Sequence, residues 1–237
     1  MAAWELVGNL EEKVHPSRAA LVTVDVQNDF FHDDGFLGKL GAPLGHIQGI
    51  VPQLRRLLEG TRGAGVPVVH VISYHDEEYA SVVVTEQKLR NGHDLMDGGR
   101  QRRDAPYCLK GSFGADFFGI EALPDEEIVV KYRYSGFQGT SLDLLLRGWG
   151  VQTVILAGAA TNVCVESTAR DVYSHDYYLA FVSDCTAATS LEAHEHTLKM
   201  IDTYFGHVVT ADEVLGAWES IAESAASALK RPTPRRP

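Results

Sequence analysis

The feature that most constrains the fold of this chain is an alternation between short apolar runs and longer amphipathic segments. The apolar runs are rich in Val, Ile and Leu, as expected for strands that are buried on both faces of a sheet. We predict six strands, at residues 19–25, 66–73, 127–132, 153–158, 178–184 and 207–211. The segments between them predict helices near residues 46–62, 141–148, 162–174 and 192–204. This pattern predicts an α/β fold in which helices flank a doubly wound, mainly parallel six-stranded sheet.

The length and the interruptions of this pattern predict how the chain is divided. At 237 residues, 45% of them hydrophobic, the chain fits one large domain. We expect an N-terminal extension at 1–17, a single domain at 18–229, and a disordered Pro- and Arg-rich tail at 230–237. The polar, glycine-rich stretch 74–118 is too long for an ordinary connection, which predicts a lid or a subunit contact and favours a homo-oligomer, either a dimer or a tetramer.

Charge and cysteine content narrow the classes of function. A net charge of -11 argues against nucleic-acid partners and anionic membrane surfaces, both of which require a basic face, and favours a small-molecule substrate. No apolar run is long enough to span a bilayer, and the first residues do not resemble a signal peptide, so we expect a cytoplasmic protein. The three cysteines lack metal-ligand spacing and are odd in number, so neither a zinc site nor a disulfide framework is predicted.

Reactive side chains stand where three of the predicted strands end. Asp25 ends the first strand, Lys131 ends the third, and Cys164 follows the fourth by a few residues. Because ligands bind beyond the carboxyl ends of parallel strands, these groups are expected to meet as a base, a cation and a nucleophile. Each one alone is also compatible with an ordinary role, as a turn cap, a surface lysine or a small core residue.

The residues around Cys164 favour a catalytic thiol. Thr161 is a good N-cap residue, and a helix that starts there would place Cys164 in its first turn, where the helix dipole stabilises a thiolate. The small residues Gly158, Ala159 and Ala160 would let the backbone approach a substrate and offer N–H groups to an oxyanion. Cys108 and Cys185 have no such surroundings, so we expect them to be structural.

These motifs resemble the isochorismatase-like cysteine hydrolases. The resemblance runs from about residue 18 to 212 and is carried by "VDVQNDFF", by a Lys that ends a later strand, and by "GAATNVCVESTARD". It implies a catalytic triad of Asp25, Lys131 and Cys164, and an oxyanion hole made by the backbone N–H groups of Ala160 and Cys164. It also implies a cis peptide bond between Ala159 and Ala160, and hydrolysis of an amide or ureide C–N bond through a thioester.

Within that family, "KYRYSGF" followed by "ATNVCVESTARD" resembles the ureidoacrylate amidohydrolases of pyrimidine degradation. The resemblance implies a substrate pocket that contains Tyr134, Ser135 and Phe30, with His75 as a further candidate contact. This chain departs from those enzymes after the second strand, where they carry Asn and Trp at the positions of Ser73 and His75.

Other members of the family supply the alternatives. Nicotinamidases carry an Asp-x-His pair and a further His for a metal, whereas here His75 and Asp76 are adjacent, so we expect no metal and no cofactor. Isochorismatases that cleave a vinyl ether lack the cysteine, so Cys164 favours amidase chemistry. Another amidase activity, resembling that of nicotinamidases or N-carbamoylsarcosine amidases, and a non-catalytic binding or redox-sensing role remain open alternatives.

Overall fold

A six-stranded, all-parallel sheet forms the centre of the computed structural model, which describes residues 8–75, 81–90, 96–97, 100–101 and 107–229. In chain order the strands are β1 Ala19–Val24, β2 Val68–Ser73, β3 Met96–Asp97, β4 Arg100–Gln101, β5 Glu127–Lys131, β6 Thr153–Ala159, β7 Tyr178–Ala187 and β8 His207–Val209. Strands β3 and β4 form a separate antiparallel pair. The predicted α/β fold with six parallel strands is therefore confirmed.

The order of the strands places a crevice at the centre of the sheet. The order is β5-β2-β1-β6-β7-β8, so the chain builds outward from β1 on one side and from β6 on the other. Connections on the two sides leave in opposite directions, which opens a crevice beyond the carboxyl ends of β1 and β6. Asp25 follows β1 directly, and the segment containing Cys164 follows β6.

Helices cover both faces of the sheet. They are α1 Leu10–Lys13, α2 Asn28–Phe31, α3 Phe36–Lys39, α4 Gly45–Gly49, α5 Val51–Gly63, α6 Val82–Arg90, α7 Leu142–Gly148, α8 Glu166–Ser174, α9 Leu191–Tyr204 and α10 Ala211–Leu229. A 3₁₀ turn spans Phe113–Ala115, and a π-helical turn spans Thr161–Val165. The four predicted helical regions are helical, whereas the short helices α1, α2 and α3 and the longer α6 and α10 were not predicted.

The first predicted helix, at residues 46–62, consists of two helices. Pro52 lies in the first turn of α5, where its missing N–H group breaks the hydrogen-bond ladder that would join α4 to α5. Gly60 lies inside α5, which continues to Gly63. A Cβ atom at Gly60 would overlap the side chain of Leu215, so the glycine lets α10 pack closely on α5.

The sheet separates two apolar clusters. Side chains from α5 and α10, such as Leu57 and Trp218, pack on one face, while side chains from α7 and α8, such as Leu146 and Val172, pack on the other. This two-faced burial explains why the central strands are mostly apolar instead of alternating regularly with polar residues. The site described below lies at the edge of the sheet, between these two layers.

Several expectations lie partly or wholly outside the described residues. These are the tail at 230–237, the first seven residues of the N-terminal extension, and the parts 76–80, 91–95, 98–99 and 102–106 of the predicted lid or subunit contact. The domain boundaries, the oligomeric state and the cellular location stay predictions. Among the helices of the described part of the chain, none combines the length and the apolarity needed to cross a membrane.

Candidate active site

Asp25, Lys131 and Cys164 meet in one buried cluster at the carboxyl edge of the sheet. The Lys131 ammonium lies 2.8 Å from Asp25 Oδ2 and donates to Cys164 Sγ at 3.3 Å. Asp25 and Lys131 are each 1% exposed and Cys164 is 9% exposed. The structure thus brings together the three side chains predicted from the strand ends, with Lys131 in contact with both Asp25 and Cys164. Their catalytic roles stay predictions.

The backbone at Asp25 turns sharply as it leaves β1. Asp25 has a φ of 53°, in the left-handed region that Asp tolerates better than most residues. Its N–H donates to Val71 O at 2.8 Å, and its carbonyl accepts from the N–H of Gln27 at 2.8 Å. These contacts explain why the strand ends one residue earlier than predicted, and they hold Asp25 in the turn that precedes α2.

Ser73, the last residue of β2, joins the two charged groups, although it was not among the predicted site residues. Its hydroxyl donates to Asp25 Oδ1 at 2.9 Å and accepts from Lys131 Nζ at 2.8 Å. Gln27 holds the backbone of Ser73 at both ends, because its side chain accepts from the Ser73 N–H at 2.8 Å and donates to the Ser73 carbonyl at 3.0 Å. The rule that identified Asp25 and Lys131, a polar side chain at a strand end, applies equally to Ser73.

The turn that carries Cys164 differs from the expected capped helix. Thr161 is the first residue of the π-helical turn rather than its N-cap, and its hydroxyl pairs with Nδ1 of His194 at 2.9 Å, so the N-cap expectation is wrong. The carbonyl of Ala160 accepts hydrogen bonds from the N–H groups of Val163 and Val165 at 3.0 and 3.2 Å. The N–H of Cys164, which lies between these two residues, does not bond to that carbonyl. The peptide bond between Ala159 and Ala160 is cis, as predicted. The oxyanion hole stays a prediction.

The electrostatic surroundings hold Cys164 as a neutral thiol at pH 7. Burial and the negative charge of Asp25 raise the pKa of Cys164 to about 12, and the opposing effect of Lys131 is smaller. Burial alone would lower the pKa of Lys131, but the charges of Asp25 and Cys164 outweigh burial and raise it. The expected stabilisation of a thiolate by the start of the helix is therefore not the dominant effect, and the thiol needs a base.

A cavity of about 550 Å³ opens above the cluster. All four predicted substrate contacts, Phe30, His75, Tyr134 and Ser135, line this cavity. Asp25, Lys131 and Cys164 line it as well. Ser135 is buried, whereas Tyr134 is 44% exposed at the wall. Burial and the charge of Cys164 raise the pKa of Tyr134, so its hydroxyl remains a hydrogen-bond donor at pH 7. Whether these four residues bind substrate stays a prediction.

Tyr107 forms part of an aromatic wall of the cavity and was not among the predicted site residues. Tyr107 lies against Phe30 and Phe36, with ring centroids 5.6 and 4.9 Å apart, and against His75 at 4.3 Å. Asp29 fastens this wall, because its carboxylate accepts from the N–H groups of Phe36 at 2.8 Å and Cys108 at 2.6 Å. No pattern in the isolated stretch around residue 107 signals this position, because the contacts are long-range.

Neither of the other cysteines lies at the cavity. Cys108 is fully buried beside Tyr107, and Cys185 is buried in the apolar cluster on the α5 side of the sheet, whereas Cys164 belongs to the cluster on the opposite side. Within the described ranges, no group of three or more His, Cys, Asp or Glu side chains is arranged to hold a metal ion. Asp76, the neighbour of His75, lies outside those ranges, and the absence of a metal stays a prediction.

Comparison with known proteins gives consistent matches. Residues 19–213 match the isochorismatase domain. The chain is 30% identical over 213 residues to ureidoacrylate amidohydrolase RutB of Stutzerimonas stutzeri, covering 88% of this chain and 86% of that protein. A cysteine hydrolase from Pseudomonas syringae pv. phaseolicola superposes with a TM-score of 0.74 at 26% identity, over 92% of this chain and 99% of that one. N-carbamoylsarcosine amidase from Thermoplasma acidophilum superposes with a TM-score of 0.62 at 28% identity, over 82% and 97%. The chain therefore belongs to the isochorismatase family, and the relatives named here include two amidohydrolases.

Proposed function

We propose that this chain is a cysteine amidohydrolase that cleaves a C–N bond of a small amide or ureide. The observation that carries the proposal is the buried contact of Cys164 with the ion pair between Asp25 and Lys131, at the floor of an open cavity. Covalent hydrolysis requires a nucleophile, a base and a group that stabilises negative charge, and here all three side chains lie in one cluster. The named activities of the two amidohydrolase relatives support the same class of reaction.

The first half-reaction forms a thioester. Asp25 takes the proton of the Cys164 thiol as the sulfur attacks the substrate carbonyl, and the tetrahedral oxyanion is held by the N–H groups of Ala160 and Cys164. As the intermediate collapses, the C–N bond breaks and protonated Asp25 returns the proton to the leaving nitrogen. Ammonia or an amine departs, and the acyl group stays on Cys164.

The second half-reaction restores the enzyme. Asp25, again ionised, takes a proton from a water molecule that attacks the thioester carbonyl, and the same N–H groups hold the second oxyanion. The C–S bond then breaks, and the Cys164 sulfur recovers a proton as the carboxylic or carbamic acid leaves. Lys131 remains charged throughout, because the raised pKa of its ammonium keeps it protonated beside the developing thiolate.

The proposed substrate is ureidoacrylate or another small N-carbamoyl compound. Tyr134 and Ser135 follow Lys131 closely and offer hydroxyl groups to the cavity, which suits a ureido or carboxylate group. The names of the relatives, ureidoacrylate amidohydrolase and N-carbamoylsarcosine amidase, support a carbamoyl substrate. The proposed triad supplies the nucleophile, the base and the stabilising cation without a metal ion.

The test is an ammonia-release assay with ureidoacrylate, several N-carbamoyl amino acids and nicotinamide at equal concentration. We expect a carbamoyl compound to be turned over fastest, with activity unchanged by exhaustive EDTA treatment and absent in Cys164→Ala. Fastest turnover of nicotinamide, or complete loss of activity with EDTA, would support a nicotinamidase instead. No turnover of any compound would favour a non-catalytic relative.

A redox-sensing role has less structural support. A sensor that forms a disulfide needs a second cysteine near Cys164, and the sulfur atoms must approach to about 2 Å. Cys185 packs in the cluster on the other face of the sheet, so the sheet lies between the two side chains. All three cysteines are free thiols.

A further inference from the structure

Ser73 is the polar side chain that links the two charged members of the proposed triad. It is 5% exposed, and it lies at the end of β2, between β1, which leads to Asp25, and β5, which ends at Lys131. Its hydroxyl proton is directed to Asp25 Oδ1 at 2.9 Å, and its oxygen accepts from Lys131 Nζ at 2.8 Å. Both hydrogen-bonding capacities of the hydroxyl are therefore used within the site.

The two oxygens of the Asp25 carboxylate consequently differ. Oδ1 accepts the hydrogen bond of Ser73, whereas Oδ2 pairs with the Lys131 ammonium at 2.8 Å. A carboxylate oxygen can accept more than one hydrogen bond, so Oδ2 can take a proton in addition to its contact with Lys131. The Ser73 hydroxyl leaves Oδ2 as the oxygen that is available for the thiol proton.

The position of Ser73 is itself held by Gln27. The Gln27 side chain is fully buried and forms hydrogen bonds with both the N–H and the carbonyl of Ser73. It also donates to the carbonyl of Ala115 at 2.9 Å, which ties the strand end to the turn at Phe113–Ala115. The backbone of Ser73 is therefore held on both sides of its Cα atom, which fixes the position of the side-chain hydroxyl.

We propose that Ser73 is a positioning residue that orients the Asp25 carboxylate so that Oδ2 receives the proton of Cys164. This proposal rests on the proposed function and adds a fourth side chain to its machinery. Ser73 acts through Asp25 and Lys131 and does not itself need to touch substrate. Without its hydroxyl, Oδ1 loses its donor, so the ionised carboxylate is less stable and its orientation is no longer unique.

The main test compares Ser73→Ala with Ser73→Thr, which restores a hydroxyl at the same position. We expect Ser73→Ala to lower kcat by about 10- to 100-fold with KM changed by less than about threefold, since one hydrogen bond to a charged group is lost. We expect Ser73→Thr to recover most of kcat. Thr61→Ala is the matched control, because Thr61 is a fully buried hydroxyl on α5 that donates only to Leu57 O, and its removal should leave kcat unchanged.

The split between kcat and KM separates positioning from a merely structural role. A structural role predicts a lower free energy of unfolding with kcat per folded molecule unchanged, whereas positioning predicts that kcat falls while KM stays nearly constant. Urea unfolding of Ser73→Ala and Ser73→Thr measures the folded fraction.

The rate of Cys164 alkylation by iodoacetamide near neutral pH provides a second readout that needs no substrate. The rate should fall in Ser73→Ala and return in Ser73→Thr, because Asp25 takes up the thiol proton less readily when its carboxylate is not held in place. If the wild type hydrolyses none of the compounds tested, the proposed function fails, while the alkylation rate still tests Ser73. Unchanged kcat together with an unchanged alkylation rate in Ser73→Ala would overturn the proposal. If Ser73→Ala does not fold, Ser73→Cys, which keeps the volume but is a weak donor, is measured in its place.

Discussion

At the scale of single residues, the reactivity of Cys164 depends on its neighbours more than on the thiol itself. Its pKa of about 12 means that a free thiolate is rare at neutral pH, so in the proposed mechanism proton transfer to Asp25 accompanies the attack. The Lys131 ammonium contacts both groups, so in this mechanism it would stabilise the negative charge as it passes from the carboxylate to the sulfur. If the three side chains act as one unit, the effects of their removal should not be additive.

Alkylation tests the assignment of the nucleophile. Cys164 lines the cavity, whereas Cys108 and Cys185 are fully buried and burial raises the pKa of each. We expect iodoacetamide near neutral pH to label Cys164 at least about tenfold faster than the other two thiols, with activity lost in proportion to labelling. Peptide mass spectrometry identifies the site. Loss of activity while Cys164 remains unlabelled would remove it from the mechanism.

Substitution of the charged pair separates catalysis from stability. Asp25→Asn cannot accept the thiol proton and Lys131→Ala removes the cation, so each should lower kcat by about 10²- to 10⁴-fold. Each also leaves one buried charge without its partner, which should cost about 3–5 kcal/mol in the free energy of unfolding.

The double variant Asp25→Asn with Lys131→Met is the matched control for that comparison. It removes both charges, so the free energy of unfolding measured in urea should recover most of the loss while activity stays absent. Near-normal turnover in either single variant would exclude that residue from the triad, and equal stability of the single and double variants would contradict the ion-pair argument.

The sequence was informative about residues whose role follows from position along a strand. Asp25, Lys131 and Cys164 were predicted because the ends of parallel strands meet at one edge. Ser73 also ends a strand, but the sequence distinguishes it only as the position where the ureidoacrylate amidohydrolases carry Asn. A serine is uncharged and common at strand ends, so its position alone does not indicate a functional role. Thr161 was misassigned because a good capping residue is also a good hydrogen-bond partner, and only the fold brings His194 to it.

At the scale of secondary structure, regular and buried elements were the predictable ones. All six strands of the main sheet were predicted to within three residues at either end, because their apolar runs are short and sharply bounded. The C-terminal helix α10 was missed although it spans 19 residues, since its first turn overlaps the apolar run assigned to the last strand. The helices α2 and α3 have four residues each and depend on contacts with distant segments.

A substitution at Gly158 tests whether the site requires the close approach of β1 and β6. Gly158 pairs with Val24 and has a φ of 120°, and a Cβ atom there would overlap the carbonyl oxygen of Val24. Gly158→Ala should therefore destabilise the fold by at least about 2 kcal/mol and lower activity, because the strand ends that lead to Asp25 and Cys164 of the proposed triad would shift.

Gly150→Ala is the control for Gly158→Ala. Gly150 also has a positive φ, of 71°, but nothing lies within 4 Å of the added Cβ atom, so only the backbone strain of about 1 kcal/mol should appear. Unfolding in urea measures both variants. Equal destabilisation of the two would show that the close approach of β1 and β6 is not what requires glycine at position 158.

At the scale of the whole molecule, a buried polar network connects the sheet to the helical layer away from the candidate active site. His70 in β2 contacts Thr23 at 2.8 Å and Glu126 at 3.0 Å, and Arg62 from α5 donates to both oxygens of Glu126 at 2.8 and 3.0 Å. Leu123 N–H adds a further bond to Glu126 at 2.8 Å. The network therefore joins β1, β2, α5 and the segment before β5, and its protonation should affect global unfolding.

The pH dependence of stability follows from the direction of these pKa shifts. Burial, opposed by Glu126, lowers the pKa of His70 below 6.5. For Glu126, burial would raise the pKa, but hydrogen bonds from Arg62, Leu123 and His70 lower it to about 2. Both groups bind protons more readily in the unfolded chain, so both contributions to stability are present at neutral pH and are lost on acidification. The loss due to His70 begins as the pH falls below about 6.5, and the loss due to Glu126 begins near pH 4.5 and continues towards 2.

Urea unfolding at pH 7.5, 5.5 and 4.0 should therefore show a free energy of unfolding that falls in two stages. His70→Gln keeps a donor and an acceptor but does not titrate, so it should flatten the first stage, and Glu126→Gln should flatten the second. His194, whose pKa is lowered by burial and by His46, adds to the first stage and keeps His70→Gln from abolishing it. His196→Gln, at an exposed position on α9, is the control and should leave both stages unchanged. A free energy of unfolding that stays constant or rises from pH 7.5 to 5.5 would contradict this account, because a histidine that is buried in its neutral form can only lose stability as its unfolded form takes up a proton.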